Sequence, residues 1–168
     1  MTQTSRRKKQ PRATELHQPD LGPIEKVALD LLKPFEANAP THDQRQLAKL
    51  AQSLQVFGWI NPLLATGDGT IIAGHGRWLA AKKLGLTHAQ VVRIEHLNDA
   101  QVRAYRIADN RLAELSGWDD ELLALELGQL GELDLDFNIE VTGFDHSEID
   151  VLLDKPERSE EGPRDYRR

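Results

Sequence analysis

Apolar positions along this chain fall into short runs with two different periods. Residues 1 to about 22 hold few of them and are polar, charged and proline-containing, the composition of a disordered arm. From Ile24 to Leu32 the apolar positions alternate and then run together, which predicts a first strand. Pro34 and Pro40 bracket an irregular stretch. Thr41 with Gln44 three residues on forms a capping-box pair, and Leu47, Leu50, Ala51, Leu54 and Phe57 follow at helical spacing until Gly58 closes the helix. Pro62 to Thr66 and Thr70 to Ala73 read as two short strands joined by the tight turn Gly67-Asp68-Gly69.

A short helix with Trp78, Leu79, Ala81 and Leu84 comes next and ends at Gly85, and Val91, Val92 and Ile94 supply another strand. From there only the helical period recurs. Asn98 with Gln101 opens a helix carrying Val102, Tyr105, Ile107 and Leu112; Ser116 with Asp119 opens another carrying Leu122, Leu123, Leu125 and Leu127; Asp145 with Glu148 caps a last one through Ile149, Leu152 and Leu153. Four or five early strands followed by helices define an α+β class, and the strand connections are too short for repeated helical crossovers. The expected organisation is a disordered basic arm at 1–22, a folded domain at 23–115, a helical extension at 116–155 and a loose charged tail at 156–168.

Bulk properties narrow the chemistry. A chain of 168 residues buries one sizeable core, and no run of about 18 apolar residues offers a membrane span. The absence of cysteine excludes disulfides, thiolate zinc sites and cysteine catalysis, and together with the lack of an apolar leader it sets cytoplasmic residence as the expectation. The net charge is −6, yet Arg6, Arg7, Lys8, Lys9 and Arg12 concentrate +5 at the start, which leaves −11 on the rest. An acidic body disfavours non-specific DNA binding, so DNA affinity is expected of the arm, which equally suits a purely solubilising tail, or of a local patch such as Arg77, Lys82 and Lys83.

The candidate chemistry lies at Gly74-His75-Gly76-Arg77, where a strand runs straight into a helix. Glycine permits φ > 0 and close approach of a ligand, the first N–H groups of the helix attract an anion, and the arginine fork suits phosphate. The spacing is neither that of a Walker loop nor that of a dinucleotide fingerprint. The six histidines lack metal-ligand spacing; His75 alone is placed to act, as a donor toward phosphate or as a proton carrier. Trp59 and Trp78 read as core or edge aromatics.

From Ile24 to about Leu115 the chain resembles the ParB N-terminal domain, of the ParB/sulfiredoxin fold: a small mixed sheet with helices. The resemblance rests on "GTIIAGHGRWLAAKKLGL" followed by "AYRIADNRLAEL", and it is strongest to the ParB-like domains of phages and bacteria found beside or fused to DNA methyltransferases, in which Gly117-Trp118-Asp119 also has a counterpart. The resemblance implies a nucleoside triphosphate, CTP or ATP, whose phosphates meet Gly74, His75, Gly76 and Arg77. Where ParB proteins read Gly-Glu-Arg-Arg, His75 and Gly76 replace the middle pair, so one guanidinium is missing. It also implies Mg²⁺ near Asp109 and Asn110, with Arg111 beside them, although Asp109 and Arg111 are equally accounted for as exposed helix residues.

Further phosphate or base contacts are implied at Asn38 and Thr41, where Thr41 also serves as a helix cap. DNA, a DNA methyltransferase or other DNA-processing protein, and a second copy of the chain are the implied partners. Two further readings remain open. One is an enzyme, either a metal-dependent nuclease with Asp109, Glu36 and Asp43 as candidate carboxylates or a small-molecule phosphotransferase with Glu36 as general base; the other is a transcription co-regulator or protein-interaction domain without catalysis. Sulfiredoxin chemistry fails for want of a thiol, and no methyltransferase motif is present. The acids Asp119, Asp120, Glu121, Glu126, Glu132, Asp134 and Asp136 repel a phosphate backbone, so no DNA-recognition helix is expected after Trp118.

Overall fold

The structure, a computed structural model, describes residues 19–35 and 43–154. Among them four strands form one mixed sheet in the order β1-β4-β2-β3. Strand β1 (Glu25–Ala28) pairs antiparallel with β4 (His88–Arg93), with Glu25 opposite Val91. Strand β2 (Leu63–Ala65) runs parallel to β4 and antiparallel to β3 (Ile71–Ala73), its hairpin closed at Gly67-Asp68-Gly69 as expected.

Successive residues of a strand face opposite sides, and both sides are covered. Ile71 and Val91 join Val27, Leu32, Leu63 and Trp78 on the face under α1 (Gln44–Phe57) and α2 (His75–Lys83). Ile72 and Val92 join Ile94 and Val102 on the face under α3 (Asp99–Leu115). The helices α4 (Asp120–Gly131) and α5 (His146–Leu153) pack on each other and reach α1 through the single-turn 3-10 helix Ile139–Thr142.

Several local expectations change. The first strand stops at Ala28, where the chain turns into a 3-10 helix over Leu29–Leu31; this buries Leu29 and Leu32 and leaves Leu31 outside. The cap of α1 is Asp43, whose carboxylate accepts from the Gln46 N–H at 2.6 Å, so Gln44 begins the helix and is not its third residue. Ser116 ends α3 and does not open α4: its hydroxyl donates to the Ala113 carbonyl at 2.7 Å, and Asp119 caps α4. The reciprocal boxes Asn98/Gln101 and Asp145/Glu148 form as read. On α3 the core face is Val102 and Arg106, while Ile107 and Leu112 face outward, because the helix touches the sheet along one i, i+4 stripe.

The β2–β3 turn makes a pH prediction. Thr66 and Thr70 hydrogen-bond to the Asp68 carboxylate and, with the nearby Lys33, hold its pKa down at about 2, against an ordinary value of 3.8. A carboxyl depressed in the folded state stabilises fully above its unfolded value and loses that contribution as pH falls through the folded one. Acid unfolding of Asp68→Asn is therefore expected to match the parent below pH about 2 and to show a smaller rise in stability between about 2 and 4. Identical profiles in an acid titration monitored by circular dichroism would contradict the turn's role.

Candidate functional site

Gly74 joins β3 to α2 in the left-handed region, φ +93°, ψ 22°. A Cβ there would lie 2.5 Å from Leu63 Cδ2 and 3.0 Å from Arg77 Nη2, so the position has neither the dihedral nor the room for a side chain. No side chain caps α2, and the N–H groups of its first turn have no intrahelical acceptor. The turn opens into a cavity of about 210 Å³ lined by Gln46 and Leu50 of α1, Ile72 to Arg77, and Asp109 and Asn110 of α3.

The structure thus brings the two sequence-read segments to one space although more than thirty residues separate them. Arg77 Nη1 donates to the Asn61 carbonyl at 2.7 Å, which fixes one edge of the fork. Burial lowers the Arg77 pKa and the Asp109 charge opposes that shift, while arginine stays protonated throughout. Asp109 accepts from the Tyr105 hydroxyl at 3.4 Å; burial first, and then this carboxylate, raise the phenol's pKa. Asn110 Nδ2 donates to the Arg106 carbonyl at 2.8 Å, which leaves its amide oxygen as the acceptor not used by that bond. His75 is buried at the start of α2, edge-on to Trp78 with ring centroids 6.0 Å apart.

An anionic and a neutral oxygen on adjacent residues match what Mg²⁺ takes from a protein when phosphates complete its shell. Among the described residues no group of three or more His, Asp or Glu side chains is placed to hold a metal ion by itself. The residues therefore fit a magnesium ion carried on phosphates rather than a cage made by the protein alone.

Arg111 is a correction. Its guanidinium pairs with Glu114 at 2.9 Å on the exposed side of α3, outside the cavity lining, because it follows Asn110 by one residue and so lies about 100° around the helix. Glu36, Asn38, Thr41 and the cations Arg6, Arg7, Lys8, Lys9 and Arg12 lie outside the described residues. Sequence reasoning missed Gln46, Leu50 and Arg106. The first two are four apart on one face of α1, and no sequence signal ties that face to the turn; Arg106 stands four before Asn110 on α3 but reads as a surface residue until its surroundings are known.

A mixed α+β sheet carrying this turn defines the class, and comparison with known proteins defines the family. A profile of the ParB N-terminal domain matches residues 12–111, more than half of the chain, which belongs to that family. A second profile, the ParB-methyltransferase HTH domain, matches residues 121–165. The match runs against the expectation of no recognition helix after Trp118 as far as the motif is concerned: charge was weighed there, but an HTH fold is set by its helix spacing and apolar positions.

The chain is 44% identical over 73 residues to the ParB-like nuclease domain-containing protein YnaK of Escherichia coli, covering 44% of this chain and 84% of that one. It is 36% identical over 95 residues to a probable chromosome 2-partitioning protein ParB of Deinococcus radiodurans, covering 51% of this chain and 32% of that one. The fold matches the C-terminally truncated chromosome-partitioning protein ParB of Caulobacter crescentus complexed with CTP-γ-S at TM-score 0.58 and 24% identity, over 66% and 64% of the two chains. The chain thus spans most of one relative and about a third of the partitioning protein. Among the described residues no helix is long and apolar enough to cross a membrane.

The backbone at Gly74 is testable. Gly74→Ala is expected to cost about 1–3 kcal/mol from the left-handed dihedral and the Leu63 contact. Gly85→Ala, at φ +72° with nothing within 4 Å, should cost less. Urea unfolding compares the two, and equal losses would contradict the close approach at Gly74.

Proposed function

We propose that this chain is a ParB-like nucleotide- and DNA-associated module of bacterial or phage DNA metabolism, partition-like or accessory to DNA methylation. Phosphates of a nucleoside triphosphate bind at Gly74–Arg77, and their Mg²⁺ is held by Asp109 and Asn110. The observation that carries this reading is the meeting of the α2 N-terminus, the Arg77 fork and the Asp109-Asn110 pair at one cavity. Its volume of about 210 Å³ is below the usual 300–1,000 Å³ of ligand pockets, which suits the phosphates more than a whole nucleotide.

Magnesium has a definite electrostatic task. Arg77 and the helix end would meet a bare triphosphate favourably and Asp109 unfavourably; Asp109 and Asn110 would hold a divalent cation brought with the phosphates, which would offset that repulsion. The Caulobacter ParB structure holds a CTP analogue, which makes CTP the first ligand to try, with ATP beside it. DNA and a methyltransferase or other DNA-processing partner are assigned to the segment matched by the HTH profile and to the basic arm.

The nuclease reading, supported by the name of the Escherichia coli relative, is weaker. Metal-assisted phosphodiester cleavage uses clustered carboxylates, and Asp109 is the sole carboxylate of the described cavity lining.

Calorimetry with CTP, ATP and GTP, with and without Mg²⁺, tests the proposal. Binding of one of them below millimolar is expected. Arg77→Ala should weaken it by the ~1.5–3 kcal/mol of a charge-assisted contact, roughly one to two decades. Asp109→Asn should remove most of the gain from Mg²⁺. Absence of binding, or an unaltered Arg77→Ala, would reject the site; a plasmid-nicking assay with Asp109→Ala as control decides the nuclease alternative.

A further inference from the structure

We propose that Arg106 is the positioning residue of this cavity: its guanidinium, held between the Ile71 carbonyl and the Phe35 ring, fixes α3 so that Asp109 and Asn110 face Gly74–Arg77. The ligand half of this inference rests on the nucleotide reading above.

Arg106 stands on the core stripe of α3 beside Val102 and is only 5% exposed. Packing alone would be met there by methionine or leucine. A buried guanidinium carries a desolvation penalty and is usually matched by a carboxylate. Among the described residues no carboxylate pairs with Arg106. Among the described residues its partners are the Ile71 carbonyl, which accepts from Nη2 at 3.2 Å, and the Phe35 ring, with the guanidinium carbon 3.6 Å from its centroid, while Nε is buried without a hydrogen bond. Arg103, one turn earlier, adds a like charge.

What this arrangement provides is placement. Ile71 lies three residues before Gly74 on β3. Asp109 and Asn110 lie three and four residues after Arg106, on the same side of α3. One hydrogen bond thus links the strand that carries one half of the cavity to the helix that carries the other. The Asn110 amide is aimed by the Arg106 carbonyl itself. Without the link, α3 rests on the sheet through Val102 and its apolar neighbours Ile72, Val92 and Ile94, which hold a helix in contact without fixing its rotation. Phe35 follows Lys33, which bridges to Thr70 beside β3, so the ring ties the same anchor to the chain along that edge of the sheet.

The test compares Arg106→Met and Arg106→Lys in the full chain. The chain has no cysteine, so nitroxides at Ile107→Cys and Lys83→Cys report the α3–α2 distance by pulsed EPR without any nucleotide. Arg106→Met is expected to melt at the parent's temperature or higher, as buried charges replaced by apolar groups of similar volume often do. It should nevertheless broaden or shift the label distance and lose the Mg²⁺-dependent gain in CTP or ATP affinity as fully as Asp109→Asn. Arg106→Lys, which keeps a charged donor for Ile71, should restore much of the narrow distribution.

A merely structural arginine would give a lower melting temperature with the Mg²⁺ gain intact, and that result overturns the proposal. So does a label distribution in Arg106→Met that superposes on the parent's. If the parent binds no nucleotide while the distances change as expected, the ligand reading fails and the anchor stands.

Discussion

The left-handed backbone at Gly74 is the constraint on which the rest depends. A strand that must become a helix within one residue, against the buried Leu63 side chain, leaves no space for a Cβ. Because that residue is glycine, it has no side chain with which to cap the helix, and the first turn of α2 lies in the wall of the cavity. The same turn places Arg77 one helical turn in, where the Asn61 carbonyl steadies its fork beside Asp109.

Three helices then give the turn its surroundings. Helix α2 supplies the amides and the arginine, α3 the oxygen pair, and α1 contributes Gln46 and Leu50. Helix α1 also faces the C-terminal helices: Arg45 pairs with Asp145, Lys49 donates to the Gly143 carbonyl, and Phe57 meets Phe137 edge-on at 5.9 Å. The element that walls the cavity is therefore the one that carries the segment matched by the HTH profile. Local charges are nearly balanced, with Arg77 and a helix N-terminus against Asp109, which is the balance expected of a site for an anion that arrives with its own cation.

Much of this was legible in the sequence because local rules decided it. The helix beginning at Asn98, the end of α1 at Gly58 and the strand-to-helix break at Gly74 follow from caps and glycines that act within four residues. The pairing of "AGHGR" with "ADNR" came from resemblance, since no periodicity shows that two segments meet in space. Errors arose where neighbouring residues compete for one role: Asp43 caps in place of Thr41, and Asp119 in place of Ser116. Arg106 was invisible because a charged residue at an i, i+4 core position reads as surface until its surroundings are known. The HTH match was misjudged because net charge describes affinity for phosphate and says nothing of helix packing.

The central claim is that phosphates sit on the amides and arginine of the β3–α2 turn. An amide NMR titration of the isotopically labelled protein with CTP or ATP and Mg²⁺ addresses it residue by residue. The account predicts the largest shifts at His75, Gly76 and Arg77, with Asn110 following only when Mg²⁺ is present. Shifts confined to other surfaces, with these amides unmoved at saturating nucleotide, would contradict it.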